Sequence, residues 1–153
     1  MNATKAPIEE GVVPGGGTSL ARASAIVEKD MLAKKDLSPE ELVGYSIVLK
    51  ALVMPLKQIA DNTGKIDGSV VDDKVKIAGG NAGYDAAKGI MIDDMIKAGI
   101  IDPVKVERAA VQHAVSAAAI LLTTECAIAD EPEENKSGMP DMERMGGGMG
   151  GMY

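Results

Sequence analysis

The sequence predicts a mainly α-helical fold with one small β-hairpin, one edge strand and a disordered Gly-Met tail, on three observations. Apolar residues make up 46% of the 153, yet Phe and Trp are absent and only three Tyr occur. Such a core is built from Ala, Val, Ile, Leu and Met, which suits close-packed helices better than aromatic-rich sheets. Apolar positions recur at helical spacing along much of the chain. Clustered Gly and Pro cut that pattern into segments of ordinary helix length.

Taken in order, residues 2–10 read as the tail of a helix that stops at Gly11, with Pro7 tolerable only in its first turn or two. Val12-Val13-Pro14 reads as a stiff connector, and Gly15-Gly16-Gly17 opens a new helix that Thr18 and Ser19 are placed to cap. Leu20, Ala23, Val27 and Met31 share one stripe and predict an amphipathic helix over 18–31. After the polar break Lys34-Lys35-Asp36, the run Ser38-Pro39-Glu40-Glu41 is a helix start, with a Ser cap, Pro first and Glu third. Leu42, Tyr45, Leu49, Leu52, Leu56 and Ile59 carry one stripe on to Asn62, and Pro55 divides it into two helices.

Asp67-Gly68-Ser69 starts a short helix through Lys76, which Gly79-Gly80 and Gly83 end. Tyr84-Asp85-Ala86-Ala87, a Lys88-Gly89 turn and Ile90-Met91-Ile92-Asp93 make a small hairpin. Asp102-Pro103 restarts helix with an Asp cap and Pro at the first position. Val106, Ala110, His113, Ala117 and Ile120 lie on one face of the Ala-rich helix to Leu122, expected to be the central buried one. Thr123 to Ile128 favours an extended strand with no partner nearby in sequence, an edge that another chain can pair. Beyond Asp130 the chain is charged and turn-rich and ends in a Gly-Met repeat. Glycine costs too much entropy to order there. That tail is either a loose contact surface built from Met or an inert linker.

Charge narrows the function classes. Sixteen basic against twenty-three acidic residues give −7, a sign that opposes non-specific binding to nucleic acid. One Cys excludes an internal disulfide and fits a reducing compartment. No uninterrupted apolar run reaches the roughly 18 residues of a membrane helix, and the N-terminus lacks a signal-peptide core. Neither a membrane nor a nucleic acid is an expected partner.

Chemistry-bearing residues are few. His113 and Cys126 are the only soft metal ligands besides Met, so no zinc site is expected. His113 reads as a satisfied interior or interface residue and Cys126 as a small buried hydrophobe. No Ser sits in a nucleophile elbow. The triple glycine matches neither common phosphate motif. It is either a helix-helix joint or a backbone that a ligand can lie against. Asp102 is either a helix cap or an acceptor for the hydroxyls of a ribose diol. Asp85 either stabilises the hairpin or, with Ala86 and Ala87, offers backbone groups to a base edge.

Together these stretches resemble one family, the group I chaperonins of the GroEL type. The resemblance rests on Glu9-Glu10-Gly11-Val12-Val13-Pro14-Gly15-Gly16-Gly17, Gly83-Tyr84-Asp85-Ala86-Ala87, Gly99-Ile100-Ile101-Asp102-Pro103-Val104-Lys105-Val106, Leu121-Leu122-Thr123-Thr124-Glu125-Cys126 and the Gly-Met tail, in family order across nearly the whole chain. It implies the C-terminal part of a subunit. Residues 1–10 then end an intermediate-domain helix, 11–130 form the C-terminal half of the helical, ATP-binding equatorial domain, and 131–153 are the tail. It further implies that Gly16 lies against ATP or ADP, that Asp85, Ala86 and Ala87 line the adenine, and that Asp102 holds the ribose hydroxyls. The family usually has Asn where Asp85 stands, which leaves only a backbone contact there.

The same resemblance implies identical subunits in a double heptameric ring, a co-chaperonin lid, unfolded substrate proteins, and a bacterial cytoplasmic location rather than an organellar matrix. The phosphate loop, the Mg²⁺ and K⁺ ligands and the catalytic aspartate would belong to a part of the subunit absent from this sequence. The chain alone is therefore expected to hydrolyse no ATP, and to be partly molten or self-associating. A free-standing helical interaction module is the alternative. A complete small nucleotide enzyme is a third, for which no Lys/Arg and Gly-loop pair is visible.

Overall fold

In the computed structural model, residues 5–34 and 36–130 are described. The Gly-Met tail lies outside the described residues. Six helices and four short strands follow one another as α1 (Lys5–Glu10), β1 (Val12–Pro14), α2 (Thr18–Ala33), α3 (Pro39–Leu52), α4 (Met54–Asn62), α5 (Gly68–Ala78), β2 (Gly83–Asp85), β3 (Ile90–Ile92), β4 (Ile101–Pro103) and α6 (Val104–Leu122).

Local sequence dictates most of these ends. Gly11 stops α1 at φ +83, and its N–H donates to the Pro7 carbonyl at 2.9 Å. Ser38 and Glu41 form the expected reciprocal box, Glu41 N–H to Ser38 Oγ at 3.2 Å and Ser38 N–H to Glu41 Oε2 at 2.9 Å. Pro55 does divide the long stripe, with α3 ending at Leu52 and α4 starting at Met54. Asp67 caps α5 by accepting from Ser69 N–H at 2.7 Å. Gly68 is buried against α4, where an added Cβ would sit 2.5 Å from the Lys57 carbonyl oxygen. The hairpin forms, with Tyr84 opposite Met91, but its first strand is Gly83–Asp85 and the turn takes four residues, 86–89, so Ala86 and Ala87 lie in the turn rather than the strand.

Several expectations change. Val12-Val13-Pro14 is not a mere connector. It pairs antiparallel with β4, with Val13 opposite Asp102, because β-branched residues take a ladder once an edge is offered. Asp102 consequently lies in a strand, and α6 starts two residues later with Pro103 as N-cap and no side-chain cap bond. Neither Thr18 nor Ser19 caps α2. The cap position is Gly17 in left-handed geometry, and Thr18 is already the first helical residue. No residue of α6 is buried, so it is not central in this chain. It packs on α1 and β4, strapped by Lys105–Glu9 and by Arg108–Glu10 at 2.5 Å. Finally, α3 and α4 taken together, Pro39–Asn62, are long and apolar enough to cross a membrane by length and composition. A search for one uninterrupted apolar run passes over them, because Lys50 and Lys57 interrupt the stripe.

After α6, Thr123 and Thr124 turn their hydroxyls back onto the Ala119 and Ile120 carbonyls at 3.1 and 2.8 Å. The stretch to Ile128 is exposed and joins no ladder among the described residues. A strand needs a second edge for its N–H and C=O groups, and none faces it here.

The core lies among α2, α4, α5 and the hairpin. Ala21, Val53, Leu56, Ala60, Val71, Val75 and Tyr84 form it, with Leu56, Val71 and Val75 almost wholly buried. Burying side chains of that size is worth about 1.5–3 kcal/mol each. The ledge this core supports is the start of α2, where the triple glycine sits.

Candidate functional site

The three glycines do three different jobs. Gly15 donates its N–H to the Ile100 carbonyl at 3.0 Å and accepts from Thr18 N–H at 3.2 Å, closing a tight turn. A Cβ on Gly15 would sit 3.1 Å from the Ile101 backbone, and one on Gly17 would sit 2.7 Å from the Leu56 nitrogen. Both are therefore taken up by close approach of the chain to itself. Gly16 is different. Its φ is +66 and its Cβ direction meets only the Met95 methyl, at 3.7 Å. Of the three, Gly16 alone leaves backbone accessible to an outside molecule.

Asp102 reaches that same residue. Its Oδ2 accepts the Gly16 N–H at 3.1 Å, a contact made possible because β4 pairs with β1, the strand leading into the glycines. One carboxylate offers about four lone-pair sites, so acceptor capacity remains. Glu107, in the first turn of α6, stands next to it. Burial pushes the Glu107 carboxyl above its ordinary range, the Ser19 hydroxyl works against that, and repulsion from Asp102 adds to it. Ser19 Oγ lies 2.6 Å from both Glu107 oxygens. Sequence reading missed the Ser19–Glu107 pair, since nothing local links residues 88 positions apart.

On the other side lies the hairpin. Asp85 is buried, with Oδ1 accepting the Lys88 N–H at 3.1 Å and Oδ2 facing the Lys88 ammonium at 3.2 Å. The Lys88 N–H, ahead of its ammonium, holds the Asp85 carboxyl below its ordinary range. That side chain is spent on the turn, and the Asp85 carbonyl also accepts from Gly89 N–H at 2.7 Å. Ala86 is half-buried against the core while Ala87 is exposed. At its turn the hairpin presents outward Ala87 and the backbone of residues 86 and 87, flanked by the exposed side chains of Lys88 and Ile90.

The structure brings Gly16 and Asp102 into direct contact, whereas no hydrogen bond joins the hairpin to either among the described residues. The link is Met95, which is wholly buried. A Cβ on Gly83 would lie 2.7 Å from Met95 Cγ and 2.8 Å from Thr18 Oγ1. Hairpin, glycine turn and the first residue of α2 thus meet around one methionine. No sequence signal sets Met95 apart from the other methionines. The Tyr84 hydroxyl, 3.2 Å from Thr63 Oγ1, ties the hairpin instead to the C-terminal end of α4.

Among the described residues no group of three His, Cys, Asp or Glu side chains is placed to hold a metal ion. Cys126 is exposed rather than buried. His113 is exposed on α6 rather than interior. Both follow from α6 and its continuation having, among the described residues, little cover beyond α1 and β4.

The sequence model of the TCP-1/cpn60 chaperonin family matches residues 1–132. Among solved structures, the open-state monomer of a group II chaperonin from Methanococcoides burtonii is similar at 26% identity and a TM-score of 0.66. The match covers 78% of this chain and 30% of that one.

Proposed function

The chain belongs to the TCP-1/cpn60 chaperonin family, and on that premise we propose that it forms the sugar-and-base half of an ATP pocket in a protein-folding ring. The observation that carries this reading is the Gly16–Asp102 contact. It sets an anionic acceptor beside the one glycine of the three whose outer side is open. A ribose diol donates both hydroxyls, and a carboxylate with lone pairs to spare receives them. The purine then lies toward the hairpin, where Ala86 and Ala87 leave room for a flat ring. The phosphates take their charge partners, Mg²⁺ among them, from elsewhere in the subunit.

The finer assignment is to a GroEL-type, group I subunit, on the ordered set of segments from Glu9 to Cys126 together with the Gly-Met tail. In that assignment residues 1–10 close an intermediate domain and 11–130 lie in the equatorial domain. Identical subunits then pair in a double heptameric ring that encloses unfolded proteins under a co-chaperonin lid, in the bacterial cytoplasm. The exposed apolar side chains of α3 and α6, Val43, Ile47, Ile120 and Leu121 among them, are faces for the rest of that assembly. The same faces support the alternative of a helical interaction module that binds no nucleotide.

Adenosine and 2′,3′-dideoxyadenosine separate the two readings. The nucleotide reading expects the chain to prefer the diol by about tenfold, the worth of one charge-assisted hydrogen bond. Asp102→Asn should erase that preference without unfolding the protein. No binding of either nucleoside favours the interaction module, and equal binding of both removes Asp102 as the ribose contact.

A further inference from the structure

The hairpin has only three residues in each strand, too few to hold its own position in water. Its entry is the loop 79–82. Gly79 and Gly80 sit at φ +64 and +56 with nothing within 4 Å of an added Cβ, so apolar packing does not fix the path there. Polar contacts do. Arg22 Nη2 donates to the Gly79 carbonyl at 2.8 Å and to the Ala82 carbonyl at 2.5 Å, gripping the loop at both ends. Met95 N–H adds a bond to the Asn81 carbonyl between them, at 2.9 Å.

Gly79 follows the last turn of α5, where a helix leaves carbonyls unpaired and favours a cation. Arg22 is half-buried, and burial lowers its pKa without a compensating partner charge. Its Nε is buried without any hydrogen-bond partner. An apolar side chain would avoid that desolvation cost but would leave two carbonyls without their donor.

We propose that Arg22 is the positioning residue that sets the base-facing hairpin against the sugar-facing glycine turn. The proposal rests on the nucleotide reading above. Helix α2 starts directly after Gly16 and Gly17, and Arg22 lies about one turn, ~6 Å, further along it. One rigid helix therefore carries both walls of the pocket. Its N-terminal end holds the sugar side and its Arg22 guanidinium holds the base side at a fixed spacing. Arg22 touches no ligand in this arrangement and acts through the hairpin.

The test titrates the full chain, wild type and Arg22 variants, with ADP and GDP, and follows amide hydrogen exchange at Gly83 and Tyr84. Arg22→Met is expected to cut the wild-type preference for ADP over GDP by about tenfold, the worth of a hydrogen bond from a charged donor. It should also speed hairpin exchange about tenfold while Ala60 and Val71 keep their protection. The preference for adenosine over its dideoxy analogue should persist, because Asp102 is untouched. Arg22→Lys, which keeps a cation, should recover part of the base preference.

Unchanged base preference or unchanged hairpin exchange in Arg22→Met overturns the proposal while leaving the nucleotide reading in place. Absence of ADP binding or of base preference in the wild type overturns it as well, and absent binding takes the nucleotide reading with it. If Arg22→Met loses protection throughout, Arg22→Lys decides. A drop in base preference with faster exchange confined to the hairpin supports the proposal, and wild-type behaviour overturns it.

Discussion

Changing Gly17 to Ala separates chain-on-chain contact from ligand contact in the triple glycine. Gly17 has φ +77, a region that costs an L-residue about 1–2 kcal/mol. Its new Cβ would also stand 2.7 Å from the Leu56 nitrogen and 3.0 Å from Leu56 Cα. Those are backbone atoms of α4, anchored by a Leu56 side chain that is 1% exposed, so α4 has to shift. Overpacking of that kind adds about 1–3 kcal/mol, for a total of about 2–5 kcal/mol. Gly16 at φ +66 carries the same conformational cost, yet its Cβ meets only the Met95 methyl at an ordinary 3.7 Å. Gly16→Ala should therefore cost about 1–2 kcal/mol. Urea unfolding followed by far-UV CD reads the difference. With a slope of about 1–3 kcal/mol/M, the Gly17 midpoint should fall by about 1 M or more and the Gly16 midpoint by roughly half that. Adenosine binding should rank the pair the other way per unit of stability lost, because only the Gly16 methyl enters the ligand's space. A Gly16→Ala variant as unstable as Gly17→Ala, or a Gly17→Ala variant that unfolds like wild type, would refute the division of labour.

Other expectations follow from single contacts. Glu107 has a raised folded pKa, so its contribution to stability is present below the unfolded value and is lost as pH rises through the folded one. Glu107→Gln should accordingly gain on wild type between about pH 4 and pH 7, and thermal melts at the two pH values check it. A constant difference would remove the burial argument. Ser38→Ala removes the Oγ that accepts the Glu41 N–H and leaves the Ser38 N–H bond to Glu41, and should cost about 0.5–2 kcal/mol, measured by the same unfolding assay. The many exposed large apolar side chains, Leu32, Ile47, Ile120, Leu121 and Leu122 among them, predict concentration-dependent self-association in light scattering. A monomer that melts in one sharp transition would contradict that.

How much of this was legible in the sequence depended on whether the signal was local. Ser38-Pro39-Glu40-Glu41, Pro55 and Asp67 each act within a turn of helix, and each acts as read. The hairpin was legible for the same reason, since both strands and the turn fall within ten residues. Contacts that join distant segments were not. Asp102-Pro103 carries the local marks of a helix start, but the offer of the β1 edge pulls Asp102 into a ladder instead. That tertiary event is also what delivers its carboxylate to Gly16, 86 residues away. The Ala-rich pattern of α6 shows that a neighbour can approach closely and says nothing of whether one does within this chain. Gly16, Asp102 and the Ala86-Ala87 turn were named as site residues through the family resemblance. Met95, packed between the glycine turn and the hairpin, and Arg22, bonded to the loop that enters the hairpin, carry no pattern that sets them apart before folding.

Isotope-labelled chain titrated with adenosine, with backbone amide shifts followed residue by residue, addresses the pocket most directly. Saturable shifts should appear at Gly16, at Asp102 and across Ala86 and Ala87, and should need about tenfold more adenosine to saturate in Asp102→Asn. Shifts confined to the exposed faces of α3 and α6, or none at any of those four residues, would mean that no nucleoside sits between the glycine turn and the hairpin.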